Sequence, residues 1–329
     1  MKLGRGLDIG TMSLVASVET EKGIEYTRMR DAFVAVPTKA KKMMKLSDVD
    51  YIEMGDHLLI VGDNALEMSV FLGEGFPLRR PLQDGLIAPG ELDSIDVLTF
   101  MLKQILGAPT QPDEYCYYSV PANPIDVQRD TVYHEGVFHR ILTQLGYTPV
   151  SGNEAEAIVF SEGVNDGFSG IGISFGSGMT NVALVLKAMC CIEFSVARGG
   201  DWIDRGSAVS LGLSQPIMTE IKECGLDLMN PVGREQEALA FYYKKLITYA
   251  IDNIAKQFLL SGNSFGLNQE LPIIVSGGTS KAINFLEFFK SVFESKRKRF
   301  PIKISEIRHA ENPLNAVSKG LLVQARQEY

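Results

Sequence analysis

The sequence has few residues of the kinds that hold zinc or form disulfides. Its 329 residues include four histidines, one tryptophan and four cysteines, namely Cys116, Cys190, Cys191 and Cys224. No two cysteines have CxxC spacing, and no group of histidines and cysteines has the spacing of a zinc site. We therefore expect reduced thiols and a cytoplasmic protein.

The chain also lacks an excess of positive charge and a long apolar run. Its 32 Lys and Arg against 40 Asp and Glu give a net charge of −8, so we expect no nucleic-acid partner. Residues 167–186 carry no charge, but half of them are Gly, Ser, Thr or Asn, which argues against a membrane span. Lys2, Arg5 and Asp8 put charges where a signal peptide would need an uninterrupted apolar run. We expect no intrinsic membrane helix.

Glycine is more frequent than usual, and several glycines lie in the turns of an internal repeat. The chain has 31 glycines, above the usual share of about 7%, and its length suits about two domains. The apolar run 3–18 is interrupted at Gly10, as in two strands joined by a tight turn, and 170–186 has the same form around Gly176 and Gly178. We infer two similarly built lobes that face each other.

Apolar periodicity predicts the other elements. Helical spacing covers 92–106, 126–145, 237–260 and 313–326, and strand-like runs cover 115–120 and 271–275. His134 and His139 are five residues apart, a spacing that does not aim both at one metal. We interpret these two histidines as solvated helix residues.

Three glycine-containing turns have the chemistry of a phosphate site. In residues 8–13 (DIGTMS), backbone N–H groups and hydroxyls can face a phosphate while the carboxylate holds hydrated magnesium. Residues 176–178 (GSG) and 276–281 (SGGTSK) also offer backbone that a ligand can approach closely. Taken singly, each is explained at least as well by an ordinary turn or helix N-cap. Two such turns facing each other, at 8–13 and 176–178, would however suit a triphosphate.

The ordered set of motifs resembles the actin, heat-shock chaperone and sugar-kinase ATPase superfamily. Besides the three turns, the set contains Val120-Pro121-Ala122, Asn153-Glu154-Ala155-Glu156-Ala157, Gly199-Gly200 and Glu311-Asn312-Pro313. The segments 61–68 and 80–88 are most similar to MreB-type bacterial actins. The resemblance covers most of residues 6–325. It implies an α/β, actin-like (ribonuclease H-like) duplicated two-lobe fold with a nucleotide cleft between the lobes.

The resemblance also implies a division of the chain. Lobe I would comprise residues 1–150, with an outer subdomain IB at about 20–80, and the C-terminal helix 313–326 would return to this lobe. Lobe II would comprise residues 151–312, with a shortened outer subdomain IIB at about 206–265.

Site residues and cofactors follow from the resemblance position by position. Asp8 would orient Mg²⁺ through water, and Glu154 would position the water that attacks the γ-phosphate of ATP. Lys222 and Lys281 would lie near the ribose and the adenine, while Asp204 matches a family aspartate to which we assign no role. The other implied contacts of ATP or ADP are Gly10, Thr11, Met12, Ser13, Ser174, Gly176, Ser177, Gly178, Met179, Gly200, Asp201, Gly277, Gly278 and Thr279.

Two departures from the family pattern affect the expected activity. The second phosphate motif usually begins with an aspartate that helps to hold the magnesium shell, and this position is Ser174. We expect weaker magnesium binding and slower hydrolysis as a result. The segment 223–270 supplies little beyond one long helix, whereas MreB-type proteins usually have a longer subdomain IIB that contributes to filament contacts.

The sequence thus predicts an actin-like, ATP-dependent polymerising cytoskeletal or scaffolding protein that hydrolyses ATP slowly and self-associates into filaments. The two departures leave open a non-polymerising adaptor or chaperone-like pseudo-ATPase. An adaptor protein is a second candidate partner, besides further copies of the chain. A sugar or acid kinase would need an acidic base in an acceptor pocket, and no sequence feature singles one out.

Overall fold

The computed structural model describes residues 3–73, 75–261 and 270–329. Residues 1, 2 and 74 of the predicted lobe I and residues 262–265 of the predicted subdomain IIB lie outside these ranges. No helix of the described ranges is long and apolar enough to cross a membrane.

The described residues form fifteen strands and ten α-helices. The strands are β1 (Arg5–Ile9), β2 (Ser13–Thr20), β3 (Gly23–Arg30), β4 (Phe33–Pro37), β5 (Tyr51–Met54), β6 (His57–Val61), β7 (Leu82–Gln83), β8 (Leu86–Ile87), β9 (Tyr115–Val120), β10 (Thr148–Asn153), β11 (Gly170–Phe175), β12 (Thr180–Leu186), β13 (Met189–Val196), β14 (Leu271–Ser276) and β15 (Ile304–His309). The α-helices are α1 (Lys41–Leu46), α2 (Gly62–Leu72), α3 (Ser94–Leu106), α4 (Val132–Gln144), α5 (Glu154–Glu162), α6 (Gly200–Leu211), α7 (Gln215–Glu223), α8 (Gly233–Leu260), α9 (Phe285–Lys296) and α10 (Ala316–Ala325).

The two five-stranded sheets have the same topology. In the first, β1, β2 and β3 form an antiparallel meander, and β9 and β10 are added in parallel beside β1. In the second, β11, β12 and β13 form the meander, and β14 and β15 are added in parallel beside β11. The internal repeat inferred from the two hairpins is confirmed.

Different insertions separate the meander from the added strands in the two halves. Between β3 and β9 the chain forms a three-stranded sheet of order β4-β6-β5, whose own small core lies against α1 and α2. Between β13 and β14, the described residues supply only the helices α6, α7 and α8. The lobe and subdomain boundaries given above stay a prediction.

Two predicted helices begin later than the sequence pattern indicates. The helix predicted over 126–145 begins at Val132, because the preceding residues are tied to the second sheet: Ile125 N–H donates to the Ser195 carbonyl, and Asp126 Oδ1 accepts from Ala197 N–H. The helix predicted over 313–326 begins at Ala316. The carbonyl of Pro313 instead accepts a hydrogen bond from Gly277 N–H.

Helices α5 and α10 join the two sheets through unusually close backbone contacts. Helix α10 lies on β1 and β9 of the first sheet, whereas α5 lies on β11 and β12 of the second. A Cβ at Gly320 of α10 would be 1.8 Å from the Ala157 carbonyl oxygen of α5, and one at Gly172 of β11 would be 2.0 Å from the Ala155 carbonyl oxygen. Neither position has room for a side chain, so the helices hold the sheets at a fixed distance.

We expect Gly320→Ala to lower the free energy of unfolding by about 2–3 kcal/mol, because the added methyl group must push α10 away from α5. The matched control is Gly136→Ala in α4, where a Cβ would meet nothing within 4 Å. Removing a helical glycine there should stabilise the fold by about 0.5–1 kcal/mol. Chemical denaturation of both variants checks this, and equal stabilities would contradict the close packing.

His134 is buried, so its interpretation as a solvated residue is wrong. It is 2% exposed and lies on the inner face of α4, with its ring 4.8 Å from that of Phe138. His139 lies on the exposed face of the same helix. Burial lowers the pKa of His134 from 6.5 to about 4, since the apolar surroundings disfavour the imidazolium form.

The buried histidine predicts acid sensitivity. In the folded state His134 stays neutral down to about pH 4, whereas in the unfolded state it takes up a proton below about pH 6.5. Stability from this residue is complete above the unfolded pKa and should fall by about 2 kcal/mol between about pH 7.5 and pH 5. Urea unfolding at the two pH values measures the loss. His134→Leu should remove this part of the pH dependence, and an unchanged dependence would count against it.

Candidate functional site

Two β-hairpin turns of the same form lie at equivalent places in the two sheets. Between β1 and β2, Gly10 N–H donates to the Ser13 carbonyl at 3.2 Å; between β11 and β12, Gly176 N–H donates to the Met179 carbonyl at 3.0 Å. A Cβ on either glycine would lie 2.9 Å from that carbonyl oxygen, so both turns favour glycine. The two turns predicted to face phosphate therefore share one local geometry.

The turn between β7 and β8 lies between these two hairpin turns. Gly85 N–H donates to Thr11 Oγ1 at 3.1 Å, and a Cβ at Gly178 would be 2.2 Å from the same Gly85 nitrogen. Asp84 and Gly85 adopt left-handed backbone, with φ of +50° and +84°. The segment 80–88, noted in the sequence for its resemblance alone, thus contacts both turns.

Two carboxylates lie at the base of the hairpin turns. Asp8, in β1, accepts a hydrogen bond from Ser119 Oγ at 3.2 Å. Glu154 is the first residue of α5, and its Oε2 accepts from Ser174 Oγ at 3.2 Å and from Asn181 Nδ2 at 3.1 Å. Two hydrogen bonds to one oxygen fix the orientation of the Glu154 carboxylate.

Burial raises the pKa of both carboxyl groups. For Asp8 burial is the main cause, partly opposed by the hydrogen bond from Ser119 and by the charge of Arg28. For Glu154 burial again comes first, and the neighbouring charge of Asp8 raises the pKa further. A cation between these two groups would favour their ionised forms.

The third glycine turn is bonded to the second. Thr279 Oγ1 donates to the Gly176 carbonyl at 2.9 Å, and the Thr279 carbonyl accepts from the buried Tyr243 hydroxyl at 3.1 Å. Gly277 has φ of +93°, and a Cβ there would be 2.4 Å from the Phe175 carbonyl oxygen. The turn that follows β14 is therefore held beside the turn that follows β11.

A buried ion pair holds Lys222. Its Nζ lies 2.7 Å from Asp204 Oδ2, which also accepts from Thr219 Oγ1 at 2.8 Å. Asp204 is fully buried and Lys222 lines the same cavity as the glycine turns. Asp204, which the sequence left without a role, therefore positions Lys222.

These elements surround a cavity of about 690 Å³, a size suited to a nucleotide-sized ligand. The structure brings together around it the residues Asp8, Gly10, Thr11, Met12, Ser13, Glu154, Ser174, Gly176, Ser177, Gly178, Met179, Lys222, Gly277, Gly278, Thr279 and Lys281.

Gly200 and Asp201 are the predicted site residues that do not line this cavity. They begin α6, where their N–H groups donate to the carbonyls of Gly176 and Ser177 at 2.9 Å. The Asp201 carboxylate pairs with Arg80 at 3.1 Å. Both residues therefore support the second hairpin turn from behind.

Gly85, Asn181 and Arg28 line the cavity, and Ser119 bonds Asp8 at its base; none of these four residues had a predicted role. Gly85 could have been suspected from the Asp-Gly pair in the segment 80–88. Ser119 and Asn181 reach the carboxylates from β9 and β12, and no spacing in the sequence announces those contacts. Arg28, in β3, lines the cavity and donates to Asn315 Oδ1 at 3.0 Å.

The described residues contain no cluster of three or more His, Cys, Asp or Glu side chains that could hold a metal. A cation at Asp8 and Glu154 would need further oxygen ligands from water or from a bound molecule. This donor chemistry is that of a hard cation such as Mg²⁺ carried in with phosphate.

Solved structures with this fold cover nearly the whole chain. The MamK double helical filament aligns with a TM-score of 0.74 at 16% identity over 99% of each chain. The MreB5 of Spiroplasma citri bound to ADP aligns with 0.68 at 15% identity over 97% of this chain and 95% of MreB5, which has also been solved bound to AMPPNP. The ethanolamine utilization protein EutJ from Carboxydothermus hydrogenoformans aligns with 0.56 at 17% identity over 98% and 89%. The predicted actin-like two-lobe fold is confirmed.

No curated protein matches the sequence. A model of one protein family does match it, under the description Volactin, over residues 3–325. Since the match spans nearly all of the 329 residues, the chain belongs to the volactin family.

Proposed function

We propose that the chain binds ATP with Mg²⁺ in this cavity and hydrolyses it slowly to ADP and phosphate. The observation that carries the proposal is a pair of glycine turns with the same backbone hydrogen bond. Both turns line one cavity, which has Asp8 and Glu154 at its base. Backbone N–H groups beside glycine bind phosphate oxygens because no side chain prevents a close approach.

The residues present fit both the polyphosphate and the cation. Ser177 lines the cavity, and its buried Oγ has no hydrogen-bond partner among the described residues, which a phosphate oxygen would supply. Asp8 would hold Mg²⁺ through water, and bound Mg²⁺ would neutralise charge on the phosphate oxygens. The raised pKa values of Asp8 and Glu154 reflect mainly their burial, with the charge of Asp8 as a further cause for Glu154, and a bound cation would offset both.

Glu154 is the residue we assign to water activation. Its carboxylate is oriented by Ser174 and Asn181, and in its ionised form it would accept a proton from the water that attacks the terminal phosphate. Ser174 donates to Glu154 and supplies no carboxylate of its own to the magnesium shell. Slow hydrolysis is the expected consequence.

Two lysines and the glycine turn that follows β14 would hold the nucleoside. Lys222, fixed by Asp204, is assigned to the ribose, and Lys281 with Gly277 and Gly278 to the adenosine end. These assignments rest on position around the cavity and on the resemblance in sequence.

We expect Glu154→Gln to reduce phosphate release from ATP by at least about 100-fold, since the amide cannot accept the proton. ATP binding should persist, because the glycine turns are unchanged. The matched control is Glu156→Gln, two residues along α5, which does not line the cavity and should retain activity. Phosphate release and ATP affinity measured on both variants decide this. Unaltered turnover in Glu154→Gln would contradict the assignment.

We further propose that ATP controls self-association into filaments. The support is the full-length likeness in fold to a double helical filament protein and the position of the cavity between the two sheets. Contacts of both lobes with one nucleotide would favour a closed arrangement, and closure would alter the surfaces available to a second copy.

Negative-stain microscopy and sedimentation with ATP and Mg²⁺ test self-association. We expect filaments with ATP and fewer with ADP, and longer-lived filaments for Glu154→Gln because ATP is retained. A species that stays monomeric at high concentration in varied salt would contradict this proposal. That result would favour the non-polymerising adaptor, which the insertion between β13 and β14, helical in its described part, would explain.

A further inference from the structure

Asp8, Val15 and Arg28 form one row across the first sheet. The register places Asp8 of β1 opposite Val15 of β2, and Val15 opposite Arg28 of β3. Residues directly opposed on neighbouring strands project from the same face of a sheet. Strand spacing of about 4.8 Å puts the Asp8 and Arg28 Cα atoms about 10 Å apart. An arginine side chain can span most of this distance across the short Val15.

Arg28 differs from the other cations around the cavity in its partners. Lys222 is 2.7 Å from Asp204, and Arg30 is 3.1 Å from Asp63. Arg28 donates to the neutral amide of Asn315, and it has no carboxylate partner in the described part of the chain. Its positive charge nevertheless acts on Asp8 and partly offsets the rise that burial causes in the pKa of that carboxyl group. Arg28 is therefore an uncommitted cation, meaning one with no carboxylate partner among the described residues, at the Asp8 end of the cavity.

Lys281 also has no carboxylate partner among the described residues, but it lies at the third glycine turn. The cavity thus has one uncommitted cation at each end. The cation beside Asp8 is an arginine, whose planar group can donate two parallel hydrogen bonds to phosphate.

The helix that covers this sheet face holds the guanidinium in place. Asn315 is the N-cap residue of α10, yet its side chain makes no capping bond to its own helix. The amide oxygen accepts from Arg28 Nη2 instead. The bond is between neutral and charged groups, so a phosphate oxygen could join it without separating an ion pair.

We propose that Arg28 binds the polyphosphate of the nucleotide. A triphosphate brings several negative charges next to Asp8 and Glu154, and the hairpin turns offer only uncharged N–H and hydroxyl donors to offset them. Arg28 supplies the positive side chain that these turns lack. This assignment rests on the proposed binding of ATP and adds the residue that distinguishes a polyphosphate from a nucleoside.

Binding of Mg-ATP and of adenosine, measured by calorimetry on the wild type and two variants, tests the assignment. Arg28→Gln should weaken ATP binding by about 10-fold to 100-fold, the usual effect of losing a charge-assisted bond, and should reduce its dependence on salt. Adenosine affinity should stay the same. Lys22→Gln, a control in the turn joining β2 and β3, removes the same charge away from the cavity and should bind ATP as the wild type does.

The results distinguish a failure of the role assigned to Arg28 from a failure of the proposed ATP binding. If the wild type binds ATP and Arg28→Gln binds it equally well, the role of Arg28 is overturned while the proposed function stands. If Arg28→Gln loses ATP and adenosine affinity alike, Arg28 has a structural role and the assignment is likewise overturned. If the wild type binds no ATP, the proposed function fails, and the role of Arg28 fails with it.

Discussion

The close contact between α5 and α10 is the constraint on which the rest of the molecule depends. Gly320 lets the two helices approach to a distance that excludes any side chain, while Gly172 brings α5 equally close to the second sheet. Glu154 begins α5, and Asn315 precedes α10. The backbone contact that joins the two sheets therefore also sets how far a candidate catalytic carboxylate lies from the first hairpin turn.

The site is built from a repeated element with different side chains in its two copies. The turns at Gly10 and Gly176 have the same hydrogen bond, yet the strand before the first contains Asp8 and the strand before the second contains Ser174. One carboxylate is thus replaced by a hydroxyl that donates to Glu154. The asymmetry reduces the number of carboxylates at the base of the turns, and Asn181 and Ser174 together orient Glu154.

Local pattern was sufficient where the chain makes contacts with its near neighbours. The hairpins, strand β9 and most helical segments were predictable, because alternation of apolar residues and glycine positions depend on a few residues at a time. Prediction failed where distant segments compete for the same backbone. Asp126 lies outside α4 because its carboxylate bonds Ala197 N–H, and Pro313 lies outside α10 because its carbonyl bonds Gly277 N–H.

The sequence alone determined the two lobes, the three glycine turns and the pair Asp8 and Glu154, since each rests on local pattern or on an ordered set of motifs. Only the tertiary structure decided that Gly200 and Asp201 lie behind the second hairpin turn, that Asn181 and Arg28 line the cavity and that Ser119 bonds Asp8. The physical reason is that these contacts join different strands and helices: Ser119 meets Asp8 111 residues away, and Asn181 meets Glu154 27 residues away. Such contacts leave no spacing that a sequence pattern can reveal.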